Sequence, residues 1–366
     1  SRPLQRILLS QKSNVMNVRI LLIVLAAVAT LPAGAFGNEK ATAASVESVR
    51  ELLAAHGITP LEAPPEFSEA KLELGQALFF DPLIGGNRDV SCATCHHPDF
   101  ATTDGRSRSV GTTAYDSDGK RLPVGFSLIE VSGRDPVLAG FSMSGAAHPF
   151  TPRNAPDCFN RGDSEWRTMF WDGRVQKLED GRIVVNQQRM AKSPGDHFQV
   201  IMPEFIESVL AAQAMMPVTS DDEMRGTKGE TDVTGKHNEV GQVLGQNEEE
   251  IWEKIMDRVM AVEAYRELFR EVYPDTPLKD LHFGHAANAL AAFEIDAFTL
   301  RDSPWDQFLD GDDSALDARQ LAGAQLFYGK AKCVDCHSGR LMTDQEHHNI
   351  GIIPIGPGPD PEEDID

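Results

Sequence analysis

Two short runs hold residues able to do chemistry together. Cys92-Ala93-Thr94-Cys95-His96 and Cys333-Val334-Asp335-Cys336-His337 each place two thiols three residues apart with a histidine directly after. Thiols at that spacing can each add to a vinyl group of a haem, and the adjoining imidazole then sits beneath the iron. A redox dithiol and half of a zinc site share the Cys-x-x-Cys spacing, but neither requires the trailing histidine. Histidine is 11 of 366 residues, so its chance occurrence after both pairs is roughly one in a thousand. The motifs therefore point to two covalently attached c-type haems, on Cys92 and Cys95 and on Cys333 and Cys336. His96 and His337 are the expected iron ligands. Cys158, the fifth cysteine, has no partner for an intrachain disulfide once the other four carry haem.

The elements around the motifs repeat. Ser68 to Phe80 reads as a helix stopped by Asp81-Pro82 just before the first motif, and a helix opened by Asp317 with Gln320 runs to Tyr328 just before the second. Gly75-x-x-Leu78-Phe79 and Gly323-x-x-Leu326-Phe327 match position for position. A further short helix is expected from Ser45 to His56. Residues 248–300 carry two helical stripes, Ile251, Ile255, Val259, Val262 and Phe283, Ala286, Leu290, Phe293, Ala297. Residues 101–240 are rich in Gly, Pro, Asp, Ser and Thr, which predicts loops with short helices; 225–245 read as a solvated loop or linker. The expected fold is mainly α, with two c-type cytochrome-like haem domains and long loops, spanning 36–240 and 241–366.

The ends and the charge set the compartment and exclude some partners. Met16 to Arg19 opens a basic segment, Ile20–Leu31 is apolar, and Pro32-Ala33-Gly34-Ala35 offers a small-residue cleavage site. That predicts a cleaved signal peptide over 16–35, too short to span a membrane, and a periplasmic protein. Residues 1–15 precede Met16 and read as upstream sequence outside the native protein. The chain stops 29 residues after His337, which reads as a C-terminally incomplete haem domain. Formal net charge is −22 and, without Arg2, Arg6, Lys12 and Arg19 of the leader, −26. Such a surface disfavours nucleic acid and anionic membranes; it suits a basic electron-transfer partner or serves solubility.

Several blocks, in order, extend the pattern: Gly75 to Asp81, Ser91 to His96, Pro152-Arg153-Asn154-Ala155-Pro156, Phe170-Trp171-Asp172-Gly173-Arg174, Gln213-Ala214-x-x-Pro217, Glu223-Met224, Ala289 to Glu294, Ser303 to Asp306, Cys333 to His337 and His348 to Gly351. With them the chain resembles the bacterial di-haem cytochrome c peroxidases and their MauG-type relatives over roughly residues 65–355. The resemblance implies that hydrogen peroxide reacts at the N-terminal haem, and that the C-terminal haem passes it electrons from a small donor such as a c-type cytochrome or a cupredoxin. It implies Glu223 as the distal acid that moves a proton between the peroxide oxygens, Gln213 as the distal amide, and Trp171 as the tryptophan between the haems. It also implies a calcium ion with Asn154 among its ligands, and a homodimer. His148 is the candidate sixth ligand of the first haem; without it that haem is open from the start, as in MauG-type enzymes.

Two departures accompany the resemblance. Residues 175–210 read as an insertion, with a hairpin over Val175–Val185 and a helix over Pro203–Ala214. The second axial ligand of the C-terminal haem, Met in the peroxidases and Tyr in MauG, lies beyond the end of this sequence, and Met342 is too near His337 to replace it. The functional expectation is an exported di-haem c-type peroxidase. The alternatives are a MauG-type enzyme that oxidises residues of a partner protein and a non-catalytic di-haem electron carrier.

Overall fold

The computed structural model describes residues 45–106, 109–112, 151, 153–187, 198–243 and 247–351. The leader at 16–35, His148, Pro152 and part of the insertion lie outside the described residues. Eight helices are labelled here: α1 Val46–Ala55, α2 Glu69–Phe80, α3 Val209–Ala214, α4 Glu248–Met260, α5 Glu263–Val272, α6 Phe283–Phe298, α7 Pro304–Leu309 and α8 Ala318–Phe327. Four short strands, β1 Thr168–Met169, β2 Val175–Lys177, β3 Ile183–Gln187 and β4 Phe198–Ile201, form one antiparallel sheet in chain order. The chain is thus mostly helical with a small sheet. Among the described residues no helix is long and apolar enough to cross a membrane.

The helix that organises the larger core is α6. Small residues (Ala286, Ala287, Ala289, Ala291, Ala292) alternate with Phe283, Leu290 and Phe293, so nearly every face is buried. A helix apolar on all sides belongs inside a core rather than on its surface. α2 crosses it at Gly75, where a Cβ would stand 1.9 Å from the Ala289 carbonyl oxygen. Phe79 then packs on Phe293 and Phe298 at 5.3 and 5.7 Å between ring centres. α3 and α4 also pack on α6. The start of α2 is fixed locally: the Ser68 hydroxyl accepts the Lys71 N–H, and Asp81-Pro82 ends the helix as expected.

A second core joins distant parts of the chain. Val49 and Leu53 of α1 pack with Phe308, Leu321, Tyr328 and Val334. Arg50 lies over the Phe308 ring at 4.4 Å and donates to the Phe308 carbonyl. Trp305 and Tyr328 stack at 5.6 Å with planes 6° apart. The two cores do not divide at residue 240: α4, α5 and α6 belong to the first, and α1 belongs to the second. The apolar faces of α4–α6 are matched by those of α2 and α3, which no periodicity within 248–300 could announce.

Other expectations need correction. The hairpin over Val175–Val185 forms, with Gly181 at φ 87° in its turn, but β4 extends it and the following helix starts only at Val209, capped by Ser208. The first stripe of the 248–300 segment ends at Val259, because Val262 is 38% exposed where α5 begins. In the second stripe Ala297 is exposed and Phe298 is buried in its place.

The expected solvated loop at 225–245 holds for residues 228–237, which are mostly exposed, but its flanks at 225–226 and 238–241 are largely buried. Asn238 is fully buried, and its amide donates to Asn87 Oδ1 at 3.0 Å and to the Arg225 carbonyl at 2.8 Å, while its Oδ1 accepts the Gly241 N–H at 2.9 Å. Asn87, equally buried, donates to Thr112 Oγ1 and to Glu230 Oε2, both at 2.8 Å. Side-chain hydrogen bonds substitute here for periodic apolar contacts, and a hydropathy pattern does not register them.

Three substitutions give expected outcomes for unfolding of this chain. Gly75→Ala is expected to destabilise by about 1–3 kcal/mol, because the added carbon meets backbone that cannot move aside. Gly323→Ala, its counterpart in the repeat, meets nothing within 4 Å and should be neutral or stabilising by up to about 1 kcal/mol. Asn238→Ala should cost about 2–4 kcal/mol, since the Asn87 and Arg225 oxygens lose their buried donor. Denaturant midpoints of the three variants check these values.

Candidate functional site

The first motif forms one helical turn, Cys92–Cys95, behind Ser91, whose N–H is held by the Thr94 hydroxyl at 3.0 Å. His96 ends the turn, and its Nδ1 bonds the Thr102 carbonyl at 3.0 Å. That bond makes Nδ1 the donor, the tautomer in which Nε2 can ligate an iron, and the Pro156 carbonyl also lies within reach of the ring. Burial also lowers the pKa of His96, which favours the neutral ring. The second motif repeats the arrangement: His337 Nδ1 bonds the Met342 carbonyl at 3.0 Å. Met342 thus serves this histidine through its backbone.

The thiols fit covalent attachment better than the rival uses of the spacing. Burial, with Glu294 and Cys95 as further causes, pushes the Cys92 thiol far above its ordinary value. Burial, with Asp104 and Glu223, pushes Cys95 up to about 12. Zinc binding and dithiol exchange both work through thiolates. Among the described residues the one cluster of His, Cys, Asp or Glu close enough to hold a metal is Cys336, Asp344 and His348, at the second motif. The Ser109 hydroxyl bonds the Cys95 thiol, and Tyr328 Oη, buried in the second core, has no hydrogen-bond partner among the described residues. The residues therefore fit a haem at the first motif, held by Cys92, Cys95 and His96.

Glu223 lies near Cys95 on a single wide turn, Asp221–Arg225, closed by i to i+5 hydrogen bonds from Arg225 N–H to the Ser220 carbonyl and from Gly226 N–H to that of Asp221. Such turns are rare and recur at functional positions. Two glycines press on it. A Cβ at Gly86 would lie 1.8 Å from the Arg225 carbonyl oxygen, and one at Gly111 would lie 1.6 Å from that of Asp222. The Gly86 N–H donates to the Met224 carbonyl at 2.7 Å, and the Thr112 N–H donates to the Glu223 carbonyl at 3.1 Å. The Asn87–Asn238 pair closes the clamp from behind. The carboxyl so held is half-buried beside Cys95, and its pKa is raised to about 7. Burial is the main cause and Asp222 adds to it, against the pull of the Arg174 guanidinium.

The other expected residues are spread around this centre. Gln213 is half-buried in the last turn of α3. Two short turns that pack on each other, Pro217–Thr219 and Asp221–Arg225, connect it to Glu223. Trp171 is 60% exposed, with the Arg153 guanidinium 3.6 Å from its ring centre. His347 Nε2 donates to the Trp171 carbonyl at 3.0 Å, so the segment after the second motif touches the Phe170–Arg174 block. Asn154 spends its amide N–H on the Arg106 carbonyl and keeps Oδ1 for another partner.

Sequence reasoning passed over Arg174, Thr102 and the clamp residues Gly86, Asn87, Gly111 and Asn238, and weighed Met342 only as a replacement axial ligand. Arg174 lay within a quoted block and was open to notice; the others act through backbone atoms or buried amides and leave no motif. A cleft of about 800 Å³ lies elsewhere, between residues 61–67, the β2–β3 hairpin and α6, and no residue of either Cys-x-x-Cys-His motif lines it.

Comparison with known proteins agrees with the motifs. The family model described as di-haem cytochrome c peroxidase matches residues 69–314, which takes in the first motif and Glu223 and stops before the second motif. The methylamine utilization protein MauG of Methylorubrum extorquens is 28% identical over 283 residues, 77% of this chain and 53% of that protein. Cytochrome c551 peroxidase of Pseudomonas aeruginosa is 26% identical over 296 residues, 81% of this chain and 58% of that protein. This chain thus spans little more than half the length of these relatives. Among solved structures, a MauG-like protein associated with microbial copper homeostasis aligns with TM-score 0.45 and 23% identity over 82% of this chain and 61% of that one. The matched span exceeds half of the sequence and contains both the first motif and the clamped carboxyl: the chain belongs to the di-haem cytochrome c peroxidase family.

Proposed function

We propose that this protein is an exported di-haem c-type peroxidase that reduces hydrogen peroxide to water, consuming two electrons from a small redox protein and two protons. The observation that carries the reading is Glu223, a carboxyl with a pKa raised to about 7 held rigidly beside Cys95. A general acid–base group works best with its pKa near the working pH. When bound, the haem supplies the iron at which peroxide is cleaved and through which electrons arrive. The chain's own groups do the rest. Cys92 and Cys95 would hold the haem covalently, and His96 would ligate its iron. Glu223 takes the proton from one peroxide oxygen and returns it to the other, so that the leaving oxygen departs as water. Gln213 orients the bound oxygen, and Trp171 lies on the electron route from the His337 haem. Two haem units, a calcium ion at Asn154, His148 as a displaceable sixth ligand, a homodimer and periplasmic export through residues 16–35 belong to the same proposal.

A second reading, MauG-type oxidation of residues on a partner protein, draws on the MauG relatives and on the exposed Trp171. Turnover of peroxide with a reduced small cytochrome favours the first; peroxide-dependent modification of a partner without such turnover favours the second.

Glu223→Gln should lower steady-state peroxide turnover by about 10²–10⁴-fold while leaving two haems per chain by the pyridine haemochrome assay. A carboxyl with a raised pKa is protonated, and unable to accept a proton, below about pH 7. Wild-type turnover should therefore rise as pH increases through about 7, and the variant should lack that limb. Undiminished turnover in Glu223→Gln removes the assignment.

A further inference from the structure

The turn after the second motif carries a deeply buried charge. His337 is exposed, but three residues on the Arg340 side chain is 7% exposed, and that of its partner Asp163 is 6% exposed. Arg340 donates from Nε and Nη2 to Asp163 Oδ1 at 3.1 and 2.8 Å, and from Nη2 to Ser164 Oγ at 3.0 Å. Its Nη1 lies 2.8 Å from Glu62 Oε1, and Glu165 is a third acid beside the guanidinium. A planar fork shared among several acceptors fixes direction as well as distance. The same turn carries the Met342 carbonyl that receives His337 Nδ1, and the Met342 N–H closes the turn on the Gly339 carbonyl at 3.2 Å. Arg340 therefore holds the turn that orients the second histidine.

Asp163 stands on a platform seated on α6. A Cβ at Gly162 would lie 2.0 Å from Ile295 Cγ1. The Asn160 N–H donates to the Phe298 carbonyl at 3.1 Å, and Trp166 Nε1 donates to the Asn160 carbonyl at 2.6 Å. From this platform the contacts continue in register. Arg340 meets Asp163, 177 positions earlier; Gln345 Oε1 accepts the Arg167 N–H at 2.6 Å, 178 positions earlier; His347 Nε2 donates to the Trp171 carbonyl at 3.0 Å, 176 positions earlier. A nearly constant offset means that residues 340–347 run alongside residues 163–171 in the same direction. This seam joins the turn of His337 at one end to the backbone of Trp171 at the other. Its first contact is the buried one, whereas Gln345 is half-buried and His347 exposed. Opening a buried ion pair leaves an uncompensated charge, while exposed hydrogen bonds exchange with water at little cost. The hold of the seam thus lies in Arg340 and Asp163.

We propose that Arg340 is a positioning residue for electron transfer between the two motifs: through Asp163 it locks the seam that sets His337 relative to Trp171. The inference rests on the reading given under Proposed function and adds the group that holds the electron route together. In the step concerned, one electron leaves the His337 haem and enters the site that peroxide has oxidised at His96. Arg340 gives up neither proton nor electron; it acts through the backbone that it holds.

Rapid mixing of half-reduced holoprotein with one equivalent of peroxide separates the two steps. In Arg340→Gln the change at the His96 haem should keep its wild-type rate, and oxidation of the His337 haem should slow by about 10–10²-fold. Hydrogen–deuterium exchange should quicken at the Arg167 and Thr168 amides, which Gln345 holds in the seam. Asp163→Asn combined with Arg340→Gln removes the uncompensated charge. Its denaturant midpoint should recover toward wild type while the electron step stays slow; a pair that serves stability alone would recover both. A wild-type electron step or unchanged exchange in Arg340→Gln, or a rate that recovers with stability in the double variant, overturns the proposal. If Arg340→Gln does not fold, a wild-type electron step in the double variant overturns it alone. A wild type that lacks two covalent haems by the pyridine haemochrome assay, or in which peroxide alters neither haem, instead overturns the functional reading on which the inference rests.

Discussion

The Glu223 carboxyl stays half-buried beside the Cys95 thiol because its backbone is held in place. The wide turn at Asp221–Arg225 is so held because Gly86 and Gly111 bring two other segments against it at distances no side chain would allow. The hydrogen bonds from Gly86 and Thr112 hold the turn from both sides, and Asn238, itself bonded to Asn87, donates to the Arg225 carbonyl of the turn. The pKa of Glu223 follows from this confinement: the desolvation that raises it persists because the group cannot swing into solvent. The chemistry proposed for the chain therefore depends on two glycines and two asparagines as much as on the acid itself.

The surroundings of the two motifs make them unequal. Both histidines use Nδ1 on a backbone carbonyl, which fits the role of iron ligand proposed for each. Around the first stand Glu223, Arg174, Asp104 and Ser109, and behind it Cys158 and Glu294. Around the second, Phe327 packs on His337 at 5.9 Å between ring centres, and Trp305 and Tyr328 stack in the same core. Polar, titratable surroundings suit proton-coupled chemistry; aromatic, apolar surroundings suit transfer of electrons alone. His347, bonded to the Trp171 carbonyl, ties the two regions together.

Much of this was legible in the sequence because it was written in local codes. Helix starts at Ser45, Ser68 and Asp317 carry side chains that cap them, and each helix begins where its cap predicts. Asp81-Pro82 stops α2, and Asp180-Gly181 turns the β2–β3 hairpin. Long-range matching was not legible. Gly75 and Gly323 occupy equivalent places in a repeat, yet only the first meets another helix within the described residues. Within the linker-like stretch, Arg225 and Asn238 are nonetheless buried, because buried amides rather than apolar side chains hold them. α1 stands first among the described helices and completes a core made from residues near the end, which no pattern in residues 45–56 could disclose.

The central claim is that peroxide reacts at the haem on His96, under Glu223, and that the haem on His337 serves it with electrons. Electron paramagnetic resonance of the half-reduced holoprotein, before and after one equivalent of peroxide, tests it most directly. The account predicts that peroxide alters the signal of the His96 haem and that the His337 haem becomes oxidised in consequence. A peroxide-induced change that begins at the His337 haem, or two haems that both ignore peroxide, would contradict it.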